Sequence, residues 1–117
     1  MTDSNTIAEL NDRFRSRLHI PQFGTPDIPG KFLLTRGVAN LLPQDQIIIL
    51  AEVREFNAFT EDNDPYGEHD FGSLDHNGQK IFWKIDYYAP DMMHGSENPA
   101  DPSQTVRVLT IMLAEEY

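Results

Sequence analysis

The order of segments along this sequence predicts an α+β domain. A mostly antiparallel sheet of about four strands, at 31–36, 68–76, 79–88 and 105–114, packs with two helices, at 6–18 and 43–59. Three observations carry that expectation. Two stretches repeat their apolar residues at helical spacing, an Asn77–Gly78 pair divides two runs of strand composition, and the run from Thr105 to Ala114 is apolar on both faces.

The first helix follows from Ile7, Leu10, Phe14 and Leu18, which fall on one stripe of a 3.6-residue period. Thr6 and Glu9 have the spacing of a capping box, Arg13, Arg15 and Arg17 suit the negative end of the helix dipole, and Pro21 stops it. Residues 20–30 hold three prolines and two glycines without periodicity, so they form a stiff connection inside one domain spanning 1–117. Lys31 to Arg36 is a short strand that Gly37 ends. Pro43 opens the second helix, whose wheel carries Ile49, Val53 and Phe56 on one side and Ile47, Ala51 and Ala58 nearly opposite. Two stripes imply burial on both sides or packing in a homo-oligomer, and the run Ile47–Ile49 leaves helix or strand open at 46–50.

Asn77–Gly78 is the preferred pair of a type I′ turn. Taking it as the turn sets Asp75 opposite Lys80, Leu74 opposite Ile81, Gly72 opposite Trp83, Phe71 opposite Lys84, Asp70 opposite Ile85 and His69 opposite Asp86. Alternation then gives an apolar face of Leu74, Ile81, Trp83, Ile85 and Tyr87, which also receives Asp70. Phe71, Phe82 and Tyr88 share the other face with Lys80, Lys84, Asp86, His69 and Asp75, as a base-stacking platform or, better suited to an acidic chain, a second core layer under a helix. A long loop at 89–103 leads to the last strand, with Val106, Val108 and Met112 on one face and Leu109, Ile111 and Leu113 on the other.

Composition narrows function by exclusion. Lys+Arg number 9 against 19 Asp+Glu, a net charge of -10, which opposes unaided binding to nucleic acid or to an anionic membrane. Without cysteine there is no disulfide, thiolate nucleophile or cysteine-bound zinc. No apolar stretch is long enough to span a membrane and the start lacks a signal-peptide pattern, so the expected location is cytoplasmic.

The outstanding local feature is the run Glu61-Asp62-Asn63-Asp64-Pro65-Tyr66-Gly67-Glu68-His69-Asp70, rich in carboxylates and without Lys or Arg. Three readings stand: Asp and Asn side chains capping a helix-to-strand loop, a partner-binding surface of Glu61, Asp62, Asp64, Tyr66 and Glu68, or a divalent-cation site using Asp62, Asp64, Glu68 and His69. The spacing does not fit an EF-hand, because Tyr66 and Ser73 occupy ligand positions. His69 and Asp86, paired across the hairpin, would orient an imidazole as a general base, although no nucleophile stands in motif context: Ser73 is the nearest serine along the strand and Ser96 lies in the long loop. Asp70, a carboxylate on an apolar face, needs donors or an upward-shifted pKa, and joins them as a candidate catalytic residue.

The segments 62–72, Phe82 to Tyr88, Asn98 to Pro102 and Arg107 to Ala114 together resemble the bacterial family of domain of unknown function 3768, from Leu10-Asn11-Asp12 to Tyr117. The resemblance implies small bacterial proteins, many carried on plasmids and other mobile elements, and brings no activity or catalytic residue. The expected function is an acidic interaction protein docking on a basic protein partner; imitation of DNA against a restriction or CRISPR nuclease is one version. The alternative is a metal-dependent hydrolase using the loop from Asp62 to Asp70. No cofactor is expected beyond that cation.

Overall fold

Alternate residues of the two central strands build the core, and this decides where everything else sits. The computed structural model describes residues 3–21 and 23–117. Helix α1 spans Asp3–Ser16, strand β1 Gly30–Leu34, helix α2 Arg36–Ala39, helix α3 Pro43–Arg54, β2 Phe71–His76, β3 Gln79–Tyr88 and β4 Val106–Leu113. Single 3₁₀ turns, at Pro102–Gln104 and Ala114–Glu116, flank β4. The sheet order is β1-β4-β3-β2, with β2/β3 and β3/β4 antiparallel and β1/β4 parallel, so the expected α+β domain with a mostly antiparallel sheet is what forms.

On β3 and β4 the odd-numbered side chains Ile81, Trp83, Ile85, Leu109, Ile111 and Leu113 point to one side. There they meet Leu10, Phe14 and Leu18 of α1, Val38 of α2, and Ile49, Leu50 and Val53 of α3. The hairpin has the expected register, because Asn77 and Gly78 both adopt positive φ, 52° and 79°, as a type I′ turn requires. Gly72 faces Trp83, and a Cβ there would collide with the indole nitrogen.

Several boundaries differ from the sequence expectation. Helix α1 begins by Asp3, so Thr6 and Glu9 lie inside it rather than forming its cap. It ends at Ser16, through a turn in which Leu18 N–H bonds Arg15 C=O and His19 takes a φ of 63°. Within the stiff connection expected at 20–30, Ile28 is buried, and Asp27 is clasped by Arg13 of α1 and by Arg17 in the turn that follows it. Strand β1 stops at Leu34 because Thr35 turns into α2, so Gly37 is a helical residue, not a terminator. Residues 46–50 are helical, but α3 ends at Arg54 instead of Phe59. Its last carbonyl region is taken over by Arg15, and Phe56 and Phe59 turn inward to pack edge-on against Trp83. Of the two stripes on α3, only the one holding Ile49 and Val53 is buried; Ile47 is 63% exposed.

The second sheet face carries Phe71 and Phe82, against which the terminal residue Tyr117 packs at 6.0 and 5.6 Å between ring centres. The helix expected to cover this face is absent from it: both long helices join the core on the other side.

Candidate functional site

The site grows from two polar residues on the buried side of α1. Asn11 and Arg15, four residues apart, point into the core among Leu10, Phe14 and Leu18, and each organises a separate set of partners. Asn11 is fully buried and its amide is saturated: Nδ2 donates to the Glu68 carbonyl at 2.9 Å and to the Tyr87 hydroxyl at 2.8 Å, while Oδ1 accepts from Arg107 Nε at 2.7 Å. The Tyr87 hydroxyl in turn donates to Asp70 Oδ2 at 3.1 Å. Arg107, also fully buried, donates Nη2 to the Pro99 carbonyl and lies over the Tyr87 ring, and no carboxylate among the described residues pairs with it. Burial pulls its pKa down, as it does for Arg15. Arg107 Nη1 and Trp83 Nε1 are buried without a hydrogen-bond acceptor.

Arg15 serves the end of α3. Nε donates to Val53 C=O at 2.9 Å, Nη2 to Phe56 C=O at 2.8 Å and Nη1 to Asp12 at 3.2 Å, with the guanidinium over both the Phe59 and the Trp83 rings. A cation at a helix C-terminus meets both the unpaired carbonyls and the negative end of the dipole.

Asp12 carries this arrangement outward to the acidic loop. Both of its oxygens lie 2.9–3.0 Å from His69 Nδ1, Asp64 Oδ2 lies 3.6 Å from Nε2, and the imidazole stacks on Phe59 at 4.0 Å with an interplanar angle of 1°. His69 is thus held between two carboxylates and an aromatic ring. Its φ of 58° belongs to the left-handed region that a β-carbon disfavours, and this breaks the strand: pairing ends at Phe71–Lys84, with one more bond from Ile85 N–H to Asp70 C=O. The expected His69–Asp86 pair therefore does not form. Asp86 accepts from Lys84 at 2.7 Å on the second sheet face, away from the imidazole. With a carboxylate at each ring nitrogen, His69 acts in this geometry as a clamp.

The loop is also tied to itself. Asn63 Oδ1 accepts from Thr60 N–H, Asn63 Nδ2 donates to Ala58 C=O, Asp64 Oδ1 accepts from His69 N–H, and Gly67 N–H closes the turn onto Asp64 C=O at 3.0 Å. These are the capping bonds that one reading of the sequence anticipated. Asp64 points inward, its side chain 7% exposed. Glu61 and Asp62 are exposed and form no ion pair among the described residues, and Tyr66 is 79% exposed. Glu68 and Asp70 are half-buried; burial raises both pKa values, Asp70 further from Asp64 and against the Tyr87 hydrogen bond, and Glu68 further from Asp70 and Asp64. Burial also lifts the Tyr87 hydroxyl far above its usual range. Among the described residues, no group of three or more His, Asp or Glu is placed to hold a metal ion. No helix among them is long and apolar enough to cross a membrane.

Sequence reasoning missed Asn11, Asp12, Arg15 and Arg107 as site residues. Two signals were present: Asn11 and Arg15 fall on the apolar stripe of α1, and Arg107 shares alternation with Leu109 and Ile111. A polar residue on an apolar face was noticed only at Asp70.

Fold and site together define a small α+β domain that presents a braced acidic loop at one end of its hairpin. The chain belongs to the family described as protein of unknown function (DUF3768), whose pattern matches residues 34–116. That match includes the acidic loop, Trp83, Tyr87 and Arg107, whereas Asn11, Asp12 and Arg15 precede it. Comparison with curated proteins and with solved structures finds no match.

Proposed function

We propose that this chain is an acidic interaction protein whose loop from Glu61 to Glu68 docks on the basic surface of a protein partner in the bacterial cytoplasm. The observation that supports it is the contrast within the loop. Its backbone is pinned by Asn63, Asp64 and His69, yet Glu61, Asp62 and Tyr66 project from it, the two carboxylates in no ion pair among the described residues. From Glu52 to Asp70 the sole cation is Arg54, and that guanidinium is bound to Leu18 C=O.

A braced loop has already lost the conformational entropy that a flexible one would lose on binding. Unpaired carboxylates speed encounter with a basic surface, and an exposed tyrosine supplies the aromatic anchor typical of interface hot spots. Competition with DNA phosphates for a nuclease is one form of this reading, and carriage on mobile elements would suit it.

The test is capture from a host lysate on the immobilised chain, followed by purification of the captured protein and titration of its Kd against salt. The expected result is a Kd that rises steeply with salt and by tenfold or more in a Glu61→Lys/Asp62→Lys variant, about 1.4 kcal/mol, while Glu97→Lys changes it little. Equal binding by the loop variant would overturn the assignment.

A further inference from the structure

Strand β1 lies at one edge of the sheet and all five of its residues, Gly30-Lys31-Phe32-Leu33-Leu34, are exposed. Its hydrogen bonds to β4 begin with Arg107 N–H to Pro29 C=O and end with Thr35 N–H to Ile111 C=O. By the alternation of a parallel ladder, residues 29, 31, 33 and 35 turn their backbone groups toward β4, and Gly30, Phe32 and Leu34 turn theirs outward. An apolar edge with an outward row of N–H and C=O groups is a template for another strand.

We propose that the occupant is a second copy of this chain, pairing β1 antiparallel to β1 about a two-fold axis at Phe32 to give a continuous eight-stranded sheet. The register is self-complementary in two respects. With Phe32 opposite its own copy, Gly30 lies opposite the copy's Leu34, so every outward-facing residue meets an outward-facing residue and all their N–H and C=O groups are satisfied. Bulk also alternates with space. Gly30 has no room for a side chain of its own, since a Cβ would strike the Phe14 ring, and it lines a hollow of about 190 Å³ with Phe14, Ile28 and Phe32, on the side where the copy's Leu34 would arrive. A second hollow, of about 260 Å³ between Phe32, Leu34, Leu18 and Leu50, flanks Phe32 on its other side.

Charge allows the approach despite the net charge of -10. Lys31 lies in the strand and Arg36 just after it; Arg13 and Arg17 outnumber the Asp27 they share, and Glu116 is taken up by Thr35 and Gly37. The acidic loop belongs to the β2 end of the sheet, at the opposite edge.

Sedimentation equilibrium of the full chain, from low to high micromolar concentration, tests this. The expected mass approaches about twice the 13.4 kDa of one chain. Leu34→Pro removes an outward N–H that β4 does not use, a change edge strands tolerate, and is expected to weaken association at least tenfold. Leu33 would face Lys31 of the copy on the other sheet face. Leu33→Lys should then weaken the dimer and Leu33→Glu tighten it, each by roughly three- to tenfold over the two symmetric pairs, and this pair of variants reads the register even if the proline variant fails to fold. A wild-type chain that stays monomeric throughout overturns the proposal. So does equal association of the Lys and Glu variants, or a dimer abolished by Ile48→Lys on the exposed flank of α3 but kept by folded Leu34→Pro.

Discussion

At Asp70 two opposing effects meet: burial favours the neutral acid, and the Tyr87 hydroxyl favours the carboxylate. Burial prevails, so the folded-state pKa lies above the ordinary value of 3.8. A carboxyl group shifted upward binds more protons when folded than when unfolded; its contribution is present below the ordinary value and lost as pH rises through the raised one. Glu68 acts in the same sense. Asp70→Asn, whose amide oxygen still accepts from Tyr87, is therefore expected to raise the unfolding midpoint at neutral pH by a few degrees, about 1 kcal/mol. Melts of both proteins across the acid range check the sign, since the advantage must vanish where Asp70 of the wild type is protonated. The opposite outcome is expected at Asn11. Asn11→Leu keeps the volume but strips Arg107 of its side-chain acceptor and Tyr87 of a donor, and a buried cation losing a partner costs about 2–4 kcal/mol, readable from denaturant unfolding. The sequence held the pattern for both networks, because Asn11, Arg15 and Arg107 stand where apolar residues belong. What it did not hold was the partners: Glu68 and Pro99 offer main-chain carbonyls, which leave no mark on residue identity.

At the scale of elements, the hairpin was legible from its turn out to Phe71–Lys84, because one dipeptide fixes the turn and a period of two then fixes the pairs that follow. Ends were less legible. Strand β2 starts only at Phe71, two residues after His69, since His69 adopts positive φ, and α3 stops at Arg54 since Arg15, far along the chain, captures the carbonyls of Val53 and Phe56. Both ends are set by tertiary contacts that local propensity does not register. The same contacts predict how the loop moves. Asp12 is the one tie between α1 and the His69 ring, so Asp12→Ala should let the loop open without unfolding the sheet. The expected readout is amide exchange of Gly67 and His69 faster by about tenfold, the equivalent of one hydrogen-bonded tie, with Ile81 to Ile85 unchanged. Uniform acceleration across β3 would mean that Asp12 supports the whole domain instead.

For the whole molecule the question is what a net charge of -10 does to a chain of 117 residues. Self-repulsion opposes the compact state, and pairs such as Arg17–Asp27 and Lys84–Asp86 relieve it locally. Glu61 and Asp62 meet no cation among the described residues, and Asp64, Glu68 and Asp70 follow closely in sequence. If the two served the structure, reversing their charge would weaken it. If they serve a partner, the fold bears them as a cost, and Glu61→Lys/Asp62→Lys should be at least as stable as the wild type. Salt separates electrostatics from any accident of packing, because interactions between exposed charges fade beyond a Debye length of about 10 Å at 0.1 M, and sooner in more salt. The variant's advantage should be largest in dilute buffer, at most about 1 kcal/mol for exposed charges, and should fade as salt is added, while the wild-type midpoint rises. Thermal melts of both proteins along a salt series measure this. A variant less stable at every salt concentration would return Glu61 and Asp62 to the structure and leave the docking surface without its charge.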